Sequence, residues 1–113
     1  MDGQPIKKMT LAELCEKQRL PFEGQDIPND CLYLMALEKW GLERQRIKFV
    51  EECGEAIQAM SRRQLNQPNN LEEEIADLLI MIDQIILFED IGDEVYKEKA
   101  RKIERLKRLL KGE

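Results

Sequence analysis

Along this chain the apolar positions recur every three or four residues, and no stretch makes a convincing strand. Thr10 can cap "LAELCEKQRL", a short helix that ends before Pro21, and "PFEGQDIPND" carries the Pro, Gly and Asp punctuation of a loop. Asn29 or Asp30 then caps "CLYLMALEKW", after which Gly41 breaks or kinks the chain. Residues 42–64 place Leu42, Phe49, Cys53, Ala56, Ile57 and Met60 on one side of a long helix. "NQPNN" is the strongest breaker. Asn70 is expected to cap the next helix, roughly 71–89, whose acidic opening Glu72–Glu74 suits a positive N-terminal dipole. Residues 93–111 predict a last amphipathic helix with Tyr96, Ala100, Ile103, Leu106 and Leu110 inward. The fold class that follows is all-α, a helical bundle of four to five helices.

The helix at 71–89 is apolar on most sides, with Ile75, Leu78, Leu79, Ile80, Ile82, Ile85, Ile86 and Leu87, so it must be surrounded. A chain of 113 residues, sized for one domain, has few elements to surround it. A partner subunit is the natural source, and the core is expected to be completed by oligomerisation.

Composition adds constraints. With 42% hydrophobic, 36% charged and only 5% aromatic residues, the chain suits amphipathic helices around an aliphatic core. Its net charge of −5 argues against coating nucleic acid or an anionic membrane. An anionic substrate stays open where metal ions or local basic residues invert the field. The N-terminal "MDGQPIKKMT" lacks the apolar core of a signal peptide, and the longest oily stretch, 75–88, holds Asp77, Asp83 and Gln84 and is too short for a bilayer. A cytoplasmic location is the default expectation. Cys15, Cys31 and Cys53 show no close pairing and read as core residues, and histidine is absent, which argues against structural zinc and excludes His-dependent triads. Any catalysis must use carboxylates, lysines or metal-bound water.

The candidate chemistry lies at the start of one helix pair. Glu52 with Glu55, and Glu74 with Asp77, are each three residues apart and share a helix face. Ala59 continues the first face, Leu78 and Met81 the second, so both pairs border apolar surface. The eighteen residues 56–73 between them allow one helix to finish, turn at "QPNN" and return antiparallel, so that the pairs face each other. Four converging carboxylates repel one another and titrate upward without a counterion. Mg²⁺, a hard cation that takes oxygen ligands and keeps waters, relieves that repulsion and can bridge phosphate oxygens. The competing reading is ordinary solvated helix charge.

"KWGLERQRIKFVEECGEAIQA" followed by "LEEEIADLLIMI" resembles the MazG-like all-α nucleoside triphosphate pyrophosphohydrolases, over about residues 34–106. The family signature, Glu-Glu-x-x-Glu then Glu-x-x-Asp, is matched by Glu51-Glu52-Cys53-Gly54-Glu55 and Glu74-Ile75-Ala76-Asp77. The resemblance implies one MazG-like helical domain over 1–113, with 1–29 as an N-terminal extension of short helix and loop. It implies a homodimer or homotetramer. It implies Glu52, Glu55, Glu74 and Asp77 as ligands of Mg²⁺, with Mn²⁺ as a substitute, and Glu51 or Glu55 as the orienting base. The implied reaction is water attack at the α-phosphorus of a nucleotide, giving a monophosphate and pyrophosphate, and the implied role is housecleaning of non-standard or deoxynucleotides.

Secondary candidates surround that core. Lys48, one turn before Glu52, could touch a phosphate or form a plain ion pair with it. Family members often carry an Asn-x-Lys-Phe-x-x-Arg-like stretch where this chain has Ala100-Arg101-Lys102-Ile103-Glu104-Arg105, which keeps Lys102 and Arg105 as phosphate candidates and loses the Asn. Trp40 could stack on a base or serve as a packing anchor. Arg62 and Arg63 read as solvated, and Gly54 as a site of close helix approach. Two further readings compete: a phosphoribosyl-ATP pyrophosphohydrolase on the same fold, and a non-catalytic helical oligomerisation or regulatory module.

Overall fold

The computed structural model describes residues 27–113, and these form four helices with no strand among the described residues. They are α1 (Asn29–Trp40), α2 (Leu42–Gln64), α3 (Leu71–Phe88) and α4 (Gly92–Leu110). The short helix expected at Thr10, Cys15 and the rest of the N-terminal extension before residue 27 lie outside the described residues.

The α2–α3 hairpin is the centre of the fold, and α1 packs on both of its helices. Ion pairs at each end hold the hairpin antiparallel. Arg46, near the start of α2, grips Glu89 at the end of α3 with Nε–Oε2 at 2.5 Å and Nη2–Oε1 at 2.7 Å. At the opposite end Arg63 pairs with Glu72. Arg63, expected to be merely solvated, is exposed yet tied across the turn.

Each long helix stops for a local reason. Asn66 takes φ +57°, and the amides of Asn66 and Gln67 bond back to the carbonyls of Arg63 and Arg62 at 3.0 and 2.9 Å. That is a Schellman ending, which Asn tolerates better than most residues. Asp90, at φ +54°, ends α3 the same way. Gly41 breaks the chain between α1 and α2, with φ +87° and ψ 156°, a backbone region essentially confined to glycine. The α1 cap is Pro28 rather than Asn29 or Asp30: its carbonyl accepts from the amides of Cys31 and Leu32 at 3.0 and 3.1 Å. Its fixed φ and extended ψ already provide the non-helical entry a cap needs, so Asn29 joins the first turn.

The seam between α2 and α3 is narrow and partly polar. Gln45, Glu52, Ala56 and Ala59 are buried on α2, and Leu71, Glu74, Met81 and Gln84 on α3. The inward face expected for α2 is therefore only part of the story, because Ile57 is 68% exposed and Met60 is exposed as well. Ile47, Val50 and Ile57 form an apolar stripe with Gly54, and a Cβ at Gly54 would meet nothing within 4 Å. Gly54 thus serves no close approach among the described residues.

α4 departs furthest from expectation. It packs on α3, and none of its residues is buried: Tyr96, Ala100, Ile103, Leu106 and Leu110, expected inward, are all exposed. No described helix is long and apolar enough to cross a membrane.

Candidate functional site

Antiparallel pairing of α2 and α3 brings the end of the first acidic motif against the start of the second. One carboxylate oxygen from each of Glu52, Glu55 and Glu74 lies within 4.8 Å of the others. Glu52 and Glu74 are buried in the seam, and Glu55 is exposed at its edge.

The two buried carboxylates are held alike. Glu52 Oε1 sits 3.1 Å from Lys48 Nζ, one turn back on α2. Glu74 Oε1 accepts a bond of 2.7 Å from Asn70 Nδ2, one turn back at the mouth of α3. Each residue then keeps a second oxygen, Glu52 Oε2 and Glu74 Oε2, that is shielded from solvent and has no hydrogen-bond partner among the described residues. A buried acceptor left unmade is costly, and more so on a charged group. Asn70 was expected to cap α3 with its side chain; it stands at the cap position but gives its amide to Glu74, while Asn69 Oδ1 accepts from the Leu71 amide at 3.2 Å.

The electrostatics agree with the geometry. The Glu55 carboxyl is pushed above its ordinary value, chiefly by hydrogen bonding to Glu74, then by the negative charges of Glu52 and Glu74, with Lys48 opposing. The Lys48 ammonium is raised, first by its bond to Glu52. Three carboxylates this close, two with bare inward oxygens, are an all-oxygen donor set that fits a hard divalent cation.

Asp77, the fourth expected ligand, is half-buried on α3 and stands outside the three-carboxylate group. It lies about 4.5 Å farther along the helix axis than Glu74, and its side chain is one methylene shorter. Glu51 is exposed, with Oε2 3.8 Å from Lys48 Nζ. Lys48 makes the ion pair that was one of its two readings. Lys48 and Trp40 line a cleft of about 340 Å³ beside the α1–α2 break, and Lys48, through its bond to Glu52, connects it to the carboxylates. Lys102 and Arg105 are exposed on α4, which among the described helices packs on α3 alone, and they do not join the carboxylates.

Three residues near the site went unread in the sequence. Asn70 looked like a cap. Gln45 and Gln84 line the same cleft as Lys48 and are buried. A glutamine inside the oily run of α3 was the available signal for Gln84, because a polar group on such a helix needs a partner.

A family model described as the MazG nucleotide pyrophosphohydrolase domain matches residues 42–107, more than half of the chain and the whole of the α2–α3 hairpin. No curated protein and no solved structure matches the chain.

Proposed function

The chain belongs to the MazG nucleotide pyrophosphohydrolase domain family, and from that premise we propose that it hydrolyses a nucleoside triphosphate to the monophosphate and pyrophosphate in a Mg²⁺-dependent reaction. The observation that carries the reading is the pair of buried, unpartnered oxygens on Glu52 and Glu74 beside Glu55.

Glu52, Glu55 and Glu74 are the proposed metal ligands, with Asp77 joining them by a change of side-chain rotamer. Mg²⁺ bound there, or Mn²⁺ in its place, would neutralise phosphate charge and acidify water for attack. Lys48 and Asn70 fix the carboxylates and leave their second oxygens to the site. Lys48 also presents a positive charge at the mouth of the cleft, where a phosphate would arrive. Water adds to the α-phosphorus, the bond to the α–β bridging oxygen breaks, and pyrophosphate leaves. The water proton passes to a carboxylate at the open edge. Glu51, exposed beside Lys48, or Glu55 at the edge of the group is the proposed carboxylate that orients the attacking water and takes its proton.

The assembly proposed is a homodimer or homotetramer. Ile47, Val50 and Ile57 on α2 and the bare stripe of α4 are too much apolar surface for a lone subunit, and a second copy is the occupant that covers like with like. In such an assembly Lys102 and Arg105 reach a neighbouring site rather than their own. A cytoplasmic housecleaning role on non-standard or deoxynucleotides completes the proposal. Incubation with a panel of nucleoside triphosphates, with and without Mg²⁺, tests it. Metal-dependent pyrophosphate is expected, and its absence across the panel would remove the enzyme reading.

A further inference from the structure

Beyond the carboxylates, the cleft of about 340 Å³ holds a second unmet demand. It lies within the range of small-molecule sites, roughly 300–1,000 Å³. Lys48, bonded to Glu52, stands at one part of its wall, and Trp40 at another, joined by Gln45 and Gln84. Trp40 is 48% exposed, with Lys39 Nζ 5.3 Å from its ring centroid. Both glutamines are more than nine-tenths buried, Gln45 at 6% and Gln84 at 7% exposure. Gln84 Nε2 donates to Met81 Sδ at 3.4 Å, while Gln84 Oε1 is shielded and has no partner among the described residues. Sulfur accepts and cannot donate here, so the nitrogen is fixed on that side and the oxygen remains as the acceptor.

We infer that this cleft is the nucleobase pocket and that Gln84 Oε1 selects bases carrying an exocyclic amine, cytosine or adenine, over their keto counterparts, uracil or hypoxanthine. The inference rests on the nucleotide reading above and adds what that reading leaves open, the class of base. An amine brings an N–H to the waiting acceptor. A keto oxygen at the same place sets two acceptors against each other and leaves both unsatisfied, which is the stronger form of discrimination. Trp40 supplies a face for stacking, which tolerates any base and so adds affinity without choosing. Lys48 ties the pocket to the carboxylates, so a base beside Trp40 and phosphates beside Glu52 belong to one bound molecule.

Trp40 is the single tryptophan, so its fluorescence reports occupancy of the cleft without turnover and without metal. The test titrates the protein with cytidine against uridine monophosphates, and adenosine against inosine monophosphates, in both sugar series. It is paired with kcat/KM for the matching triphosphates in Mg²⁺. Wild type should favour the amino member of a pair by at least about ten-fold in both readouts. Gln84→Met keeps the side-chain length and removes the acceptor, and it should bring that ratio to about one. A merely structural glutamine would lower all four nucleotides together and leave the ratio unchanged, which overturns the inference, as does an equal response to amino and keto bases in wild type. Pyrophosphate release without base preference sinks the pocket alone. Base-selective quenching without pyrophosphate release sinks the reaction and leaves the pocket.

Discussion

Glu52 and Glu74 each rest one carboxylate oxygen on a neighbouring donor and leave the other bare in shielded surroundings. Without a cation such groups repel one another in the folded state only, so Glu52→Gln should raise the melting temperature of the metal-free protein and shrink its rise on adding Mg²⁺. Equal metal shifts in wild type and variant would contradict a shared site. Asn70→Ala frees Glu74 from its support and should weaken Mg²⁺ binding by about ten-fold, as loss of a ligand's supporting partner generally does. Calorimetric titration measures it, and unchanged affinity would mean that Glu74 needs no anchor. Glu55 gives the pH dependence. Its folded-state proton affinity is raised, first by hydrogen bonding to Glu74 and then by neighbouring charge. A raised group contributes stability that is fully present below its unfolded value, ordinarily about 4.3, and that is lost as pH rises through the higher folded value. Metal-free protein should therefore lose stability across that window, and Glu55→Gln should flatten the loss. Melts against pH in a chelator decide it, and identical profiles for the two proteins would contradict the assignment.

At the level of elements, the hairpin was legible and its details were not. Residues 42–64 were read to their ends because Gly41 and "NQPNN" are chemical stops, and the two acidic motifs were read onto facing helices because the linking length permits it. Asn70 stands at the cap position of α3 as expected, but its side-chain bond and the α1 cap differ for a physical reason. Pro28 already provides the backbone geometry at α1, and the side chain of Asn70 is drawn to a charged acceptor, Glu74, in preference to a backbone amide. Three of the four carboxylates converge as their spacing suggests; Asp77, one turn farther on and one methylene shorter, stands outside the group in the side-chain rotamer it adopts. Gln45 and Gln84 could not be placed from sequence, since their role depends on which of many helical positions the crossing of α2 and α3 brings together. Gly41 carries an element-level prediction. Its φ and ψ suit glycine alone, so Gly41→Ala should cost about 1–3 kcal/mol in urea unfolding. It should also disturb the cleft by shifting Trp40 against Lys48. A change below a few tenths of a kcal/mol would mean that the α1–α2 break is not held in that conformation.

For the whole molecule, the sequence showed more apolar surface on the helix at 71–89 than one chain can cover; the structure leaves Ile75, Leu79 and Ile80 of that helix exposed, and adds the outer stripe of α2 and the length of α4. The α4 face was read as the inside of a bundle because amphipathicity specifies that a face is buried and not against what. Gly54 sits in the α2 stripe with open space beside it. Gly54→Leu should leave the subunit folded, as nothing in it is crowded, and should reduce a dimer or tetramer to smaller species in light scattering. A wild-type monomer at micromolar concentration would contradict the proposed assembly. The central claim is the reaction itself, and its most direct test is hydrolysis of the best nucleoside triphosphate in ¹⁸O-labelled water with Mg²⁺. Glu52→Gln and Glu74→Gln, each at least ~100-fold slower, serve as controls that the signal belongs to this site. The account predicts one labelled oxygen in the nucleoside monophosphate and none in the pyrophosphate, as attack at the α-phosphorus requires. Label in the pyrophosphate, or orthophosphate as the direct product, would contradict it.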